Sequence, residues 1–267
     1  MRPHAVCLLV ALLETTPSQP AAAQRGSEPN LVLTLFGGVV TGGSLWAIGR
    51  QPVCLVPAGS PSCSSYDTVR LARDVSSSIN IGAAVSYFPV PTFGLHGEMA
   101  YLGLPLQDAC AVVYASGTQK TTQVCQNIHG TSNTTGAVSF LASALFRVTP
   151  RAPLSPYLRA GFGVVAFDQS TIDVSGPDAL GEVYQVIGDD NPRRLAASFV
   201  FGGGVTLALG SGYQFRLEGR DVVAGFERVT GAADNLGVPP TGTRYYHHLA
   251  LSMGLDVVLE QKRGRRY

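Results

Sequence analysis

Charge is scarce in this chain. Asp, Glu, Lys and Arg make up 14% of its 267 residues, against roughly 25% in soluble globular proteins. A water-facing surface around a domain of this size needs more. The two signs nearly cancel, for a formal net charge of +1, so nothing marks nucleic acid as a partner. The one basic cluster, Lys262, Arg263, Arg265 and Arg266, closes the chain and reads as a solvated tail. Long apolar runs are scarce too. Ala5 to Leu13, "AVCLLVALL", is too short to span a bilayer as a helix. Residues 31–48 and 196–215 lack charge and approach the length a helix needs. The second, however, holds Gly202, Gly203, Gly204, Gly210 and Gly212 and alternates with period two, which argues against a helical membrane protein.

The short apolar run has another use. It follows a polar start at Arg2 and His4 and precedes "PAAAQ", where Ala21 and Ala23 fit the small-residue cleavage pattern. Residues 1–23 are therefore expected to be a signal peptide, with 24–30 a short N-terminal segment. Export permits disulfides. Without Cys7 four cysteines remain, Cys54, Cys63, Cys110 and Cys125, and an even count suggests two bridges. Each sequence-adjacent pair flanks a short run with turn formers, and short loops close at low entropic cost. Cys54–Cys63 and Cys110–Cys125 are the expected pairs. The rival is pairing between the two loops, as in Cys54 with Cys110.

What the chain does have is alternation. Eight segments with period-two patterning fall at roughly 31–41, 74–88, 92–104, 133–148, 156–168, 195–209, 213–225 and 244–259. In "YQFRLEGRDV" (213–222) Tyr213, Phe215 and Leu217 share one face, while Gln214, Arg216, Glu218 and Arg220 share the other. Segments two and three, four and five, and six and seven are joined by short turns rich in Gly, Pro and Ser. The other connections run to about 18 to 32 residues, far above the usual about 4–6. Short turns at one end and long loops at the other is the layout of an all-β, eight-stranded, antiparallel up-and-down transmembrane barrel over 31–259, followed by the tail 260–267.

The alternation alone does not say which face meets lipid, but the composition of the polar face does. That face is mostly small, as in Ser78, Asn80, Gly82, Ala84 and Ser86, or Ser139 and Ser143. A narrow lumen filled by its own side chains needs small residues and a few paired ions. The expected lumen ion network is Glu98, Arg147, Arg159, Arg216, Glu218, Arg220 and Asp256. It reads as internal salt bridges, because an unpaired buried ion costs several kcal/mol. Aromatics near the segment ends, Tyr87, Phe88, Phe93, Tyr157 and Tyr213 at the short turns and Tyr101, Phe167, Phe226 and Tyr245 near the long loops, read as interfacial girdles.

In these features the sequence resembles the eight-stranded outer-membrane barrels of the OmpA and OmpX type over about residues 31–259. "FRLEGRDVV" (215–223) is similar to the penultimate strand of such proteins. "SMGLDVVL" (252–259) resembles their C-terminal assembly signal, with Ser252, Gly254, Val257 and Leu259 in the places read by the barrel-assembly machinery. The family commonly ends on an aromatic strand residue, whereas "EQKRGRRY" follows here. The resemblance implies a bacterial outer-membrane location, with membrane lipid and the assembly machinery as partners, and an unidentified extracellular ligand at the loops.

Sites of chemistry are few. "GFGVVA" (161–166) imitates a dinucleotide-binding glycine pattern but lies inside a strand with no helix after it, so no cofactor is expected. His247 and His248 lack a Cys or carboxylate at metal-ligand spacing, so no metal is expected. Nor does either stand two residues from Ser252, so the His-x-Ser pair of lipid-modifying barrels is missing and no catalytic residue is assigned. The expected function is a non-enzymatic outer-membrane barrel that supports the envelope and meets the outside through its loops. The alternatives are an outer-membrane lipid-modifying enzyme and, third, a secreted soluble ligand-binding barrel.

Overall fold

The computed structural model describes residues 30–54, 66–115, 119–129, 132–168, 172–188, 194–210, 212–227 and 243–259. The expected signal peptide, most of the expected N-terminal segment, Cys63 and the basic tail lie outside them. In chain order the elements are β1 (Asn30–Val40), β2 (Gly43–Val53), β3 (Asp67–Val75), β4 (Ser78–Val90), β5 (Phe93–Tyr114), α1 (Gln119–Ile128) and β6 (Ser132–Arg147). They continue with β7 (Leu154–Phe167), β8 (Val174–Pro177), β9 (Val183–Ile187), β10 (Leu195–Gly210), β11 (Tyr213–Glu227) and β12 (Thr243–Leu259).

Eight of these strands close into a ring in the order β1, β4, β5, β6, β7, β10, β11, β12, every pairing antiparallel. The ring closes where β1 meets β12, from Leu31 opposite Leu259 to Val40 opposite Ala250. Closure leaves no unpaired ladder edge around the wall, which is what a strand-built membrane span requires. No described helix is long and apolar enough to cross a membrane.

The segment expected at 74–88 proves to be two pieces. Asp74 and Val75 end β3, and the wall strand β4 begins at Ser78. The β2–β3 hairpin rises from the first long loop and pairs through β3 with the outer half of β5, Val69 opposite Val112 to Val75 opposite Leu106. β5 runs to Tyr114, beyond the expected end at 104, because its inner half pairs with β4 and its outer half with β3. The second long loop holds α1, and the third holds the β8–β9 hairpin.

Sidedness follows the alternation. Leu35, Ile79, Ile81, Phe162, Phe201, Leu249 and Met253 point outward and are exposed, while Thr34, Glu98, Arg159, Arg216 and Asp256 on the same wall are buried. This is the inverse of a soluble protein, and lipid resolves the exposed apolar band. Two of the supposed girdle aromatics at the short-turn end, Phe88 and Tyr157, are buried instead, as are Phe167 and Phe226 at the other end. Parity explains it: Tyr157 shares its face of β7 with Arg159, not with Leu158. Tyr87, Phe93, Tyr101, Tyr213 and Tyr245 face outward.

Inward glycines make room for these large groups. A Cβ at Gly204 would stand 2.8 Å from the Tyr157 hydroxyl, and one at Gly82 would stand 2.6 Å from the tip of the Phe36 ring.

Candidate functional site

The lumen is crossed at mid-height by ionic side chains from three strands. Alternation aims Glu98 of β5, Arg159 of β7, and Glu218 and Arg220 of β11 inward from different sides of the ring. There Glu98 Oε2 accepts hydrogen bonds from Arg159 Nη1 and Arg220 Nη1, both at 2.7 Å. Glu218 Oε1 accepts from the same two nitrogens at 3.0 and 3.4 Å. The two carboxylates and two guanidinium groups thus form a cycle with no charge left over. Ser143 Oγ accepts from Arg159 Nε at 3.0 Å, and the Tyr157 hydroxyl donates to Glu218 Oε2 at 2.6 Å.

A second pair sits toward the short-turn end. Arg216 donates to Asp256 through Nε at 3.1 and 3.2 Å and through Nη2 at 3.0 Å. Thr34 Oγ1 donates to the same carboxylate at 2.7 Å. Arg216 Nη1 lies 3.9 Å from Glu218 Oε2, which links the pair to the cycle. Arg216 also lies over the Tyr157 ring, 5.2 Å from its centroid. Arg147 stands apart from the carboxylates. Its guanidinium lies 3.7 Å from the Phe88 ring centroid, and its Nη2 has no hydrogen-bond partner among the described residues.

The structure therefore brings six of the seven expected lumen ions into one cluster and sets Arg147 on an aromatic face. It adds His96, whose Nδ1 is 2.7 Å from Ser86 Oγ and whose Nε2 is 3.5 Å from Glu98 Oε2. His96 and Tyr157 are the members the sequence reading left out. Their signal was parity: each lies two residues from an inward ion, Glu98 or Arg159. Ser252 and Gly254 of the proposed assembly signal line the same lumen, while Leu259 faces outward at the end of β12.

At the long-loop end a cap covers the ring. Cys110 of β5 is disulfide-bonded to Cys125 of α1, with Cα atoms 5.0 Å apart. Cys54, just after β2, is also disulfide-bonded. Arg73 of β3 holds Asp108 of β5 through Nε and Nη2 at 2.6 and 2.8 Å, and Nη2 also donates to the carbonyl of Asp173 at 2.7 Å. Lys120 of α1 donates to the Tyr184 hydroxyl of β9 at 2.6 Å and lies 3.6 Å from Asp178. Burial opposes the charge of Asp178. The amides of Leu180 and Glu182, together with Lys120, outweigh that and hold its carboxyl below the usual carboxylate range.

The two histidines near the cap point opposite ways. His247 faces outward, its Nδ1 2.7 Å from Asp221 Oδ2 on β11. The carboxylate partner that sequence spacing did not offer thus comes from the neighbouring strand. His248 lines the lumen, with Nδ1 3.3 Å from the Thr41 carbonyl.

A closed antiparallel ring of eight strands, apolar outside and ionic within, defines an integral β-barrel of the outer-membrane type. The short turns gather at one end of the ring and the cap at the other. No family model matches the chain, and no curated protein does. Among solved structures it is similar to Neisserial surface protein A, at 11% identity and a TM-score of 0.40 over 85% of this chain and 96% of that one. It is also similar to the outer membrane protein OprG of Pseudomonas aeruginosa, at 9% identity and a TM-score of 0.45 over 87% and 97%. A third likeness is the outer membrane protein AlkL in lipid bilayers, at 13% identity and a TM-score of 0.35 over 94% and 98%.

Proposed function

We propose that this protein is a non-enzymatic barrel of the outer membrane, closed across its lumen and presenting a braced cap to the outside. It would strengthen the envelope as a wall and meet an extracellular ligand through its loops. The observation that carries the reading is the Glu98–Arg159–Glu218–Arg220 cycle, which ties β5, β7 and β11 together across the lumen. Ions paired on this scale neutralise one another and fill the cross-section, where a conducting pore needs a continuous column of water. The Ser252–Leu259 segment of β12 remains, on this reading, what the barrel-assembly machinery recognises.

Conductance in planar bilayers tests it. The native protein should give no steady channel. Replacing Glu98, Arg159, Glu218 and Arg220 together with Ala removes both signs equally and should produce stepwise openings. Steady conductance by the native protein would overturn the closed-wall reading.

One observation favours a second reading, a lipid-modifying enzyme. The Asp221–His247 pair lies on the outward face near the outer end of β11 and β12, and a carboxylate-oriented imidazole is the base of many acyl transfers. On the first reading, vesicle lipids incubated with the protein keep their acyl chains by mass spectrometry. Acyl loss that vanishes in His247→Ala would replace the first reading with the second.

A further inference from the structure

The ionic cycle has a titratable neighbour that its own pairing does not use. His96 of β5 points into the lumen two residues before Glu98 and is 4% exposed. Its Nδ1 meets Ser86 Oγ at 2.7 Å, while its Nε2 has no hydrogen-bond partner among the described residues. That nitrogen stands 3.5 Å from Glu98 Oε2, and the other Glu98 oxygen, Oε1, is likewise without a partner. Histidine is the side chain whose ordinary charge change falls between about pH 5 and 8. A proton taken up here would find a carboxylate beside it with one oxygen uncommitted.

The charged groups facing the space beside His96 come from three strands. They are Glu98 of β5, Arg159 of β7, and Arg216, Glu218 and Arg220 of β11. Asp256 of β12 is held behind Arg216, and the Tyr157 hydroxyl behind Glu218. β1, β4, β6 and β12 bring uncharged groups around His96: Thr34, Ser86, Ser143 and Ser252. With the imidazole neutral, the two carboxylates and two guanidinium groups of the cycle cancel. An imidazolium adds a third cation beside Glu98 and repels Arg159 and Arg220, where little water screens the charges. Ser86 Oγ accepts as readily as it donates, so it does not oppose the proton.

The two arginines of the cycle are not equally held. If Glu98 leaves it, Arg159 keeps Glu218 Oε1 and Ser143 Oγ, both at 3.0 Å. Arg220 keeps only Glu218 Oε1, at 3.4 Å, and its Nε has no partner among the described residues. Arg220 is also the partition of the lumen. It lines both the polar space beside His96 and the apolar space under the cap.

We propose that His96 is an acid-operated latch of the lumen. Its protonation draws Glu98 off Arg220, and the freed Arg220 side chain swings toward the cap and joins the two spaces into a passage for small ions. The latch rests on the closed-wall reading, which it confines to neutral pH.

The test uses the full chain in planar bilayers. The native protein should be silent near pH 7.5, and its open probability should rise by roughly tenfold or more near pH 5 and fall again on return. His96→Asn, whose amide replaces the Nδ1 end of the ring and takes up no proton, should stay closed at both. If His96→Asn fails to fold, ¹⁵N-histidine spectra of the native protein in lipid nanodiscs serve instead. The His96 ring nitrogens should move to imidazolium shifts over the pH interval in which openings appear. Silence of the native protein at both pH values, openings that persist in folded His96→Asn, or ring shifts that do not track the openings would each overturn the latch. Equal steady conductance at both pH values, a result distinct from silence, would overturn the closed-wall reading and the latch with it.

Discussion

At the scale of single residues, the lumen is a problem in keeping ions paired where water is scarce. Arg216 and Asp256 are the most fully matched pair, with three hydrogen bonds between them and a fourth from Thr34. Arg216→Ala should therefore cost about 3–5 kcal/mol, because it strands the Asp256 charge rather than merely removing a contact. Adding Asp256→Ala should recover part of that loss. Urea unfolding of the single and double variants in detergent checks this, and a double variant no more stable than Arg216→Ala would mean that the two do not act as a pair. Much of this cluster was legible from the sequence, since parity alone aims Arg216, Glu218 and Arg220 inward. Which ion meets which was not, because β5, β7 and β11 come together only when the ring closes. Tyr157 and Phe88 were misplaced for a simpler reason. A large aromatic near a strand end reads as an interfacial anchor, and only its parity shows that it packs under Arg216 or Arg147.

At the scale of elements, the eight wall strands were legible and the cap was not. Wall strands keep a clean period of two because one face meets lipid and the other a narrow lumen. β2 breaks that period, with register shifts between Ser44 and Trp46 and again between Ile48 and Gln51. β3 keeps it but sets Asp67 and Arg73 on its buried face with Val69 and Leu71, so its ions look like solvent contacts. α1 carried a readable signal in Thr121, Val124, Cys125 and Ile128, buried at helical spacing. The Cys110–Cys125 bridge closes a separation of 15 residues, for which the chain-entropy model gives roughly 3 kcal/mol. That gain belongs to the cap. In Cys110→Ser with Cys125→Ser, amide exchange in α1 should quicken by about two orders of magnitude, while the barrel keeps its folded migration on unboiled gels. Loss of that migration would show that the bridge supports the wall as well.

At the scale of the whole molecule, the apolar outer band sets where the protein can exist. Phe201 sits on the outward face of β10, 54% exposed, midway along the strand. Phe201→Arg should destabilise the inserted barrel by about 2–4 kcal/mol, the range for Arg at mid-depth on a lipid face. Folding into vesicles over a urea series measures it, and a shift indistinguishable from zero would remove lipid from that face. The seam between β1 and β12 has a consequence of its own. These are the first and last strands of the ring, and they meet along ten successive residue pairs. A nascent chain missing only its final strand would hold two raw ladder edges, at β1 and at β11, with nothing to lay across either. The wall is thus a hoop whose clasp is the last piece to arrive. Seven strands are not most of a barrel but an open sheet, and the first and last wall strands meet at the short-turn rim, where Leu31 faces Leu259.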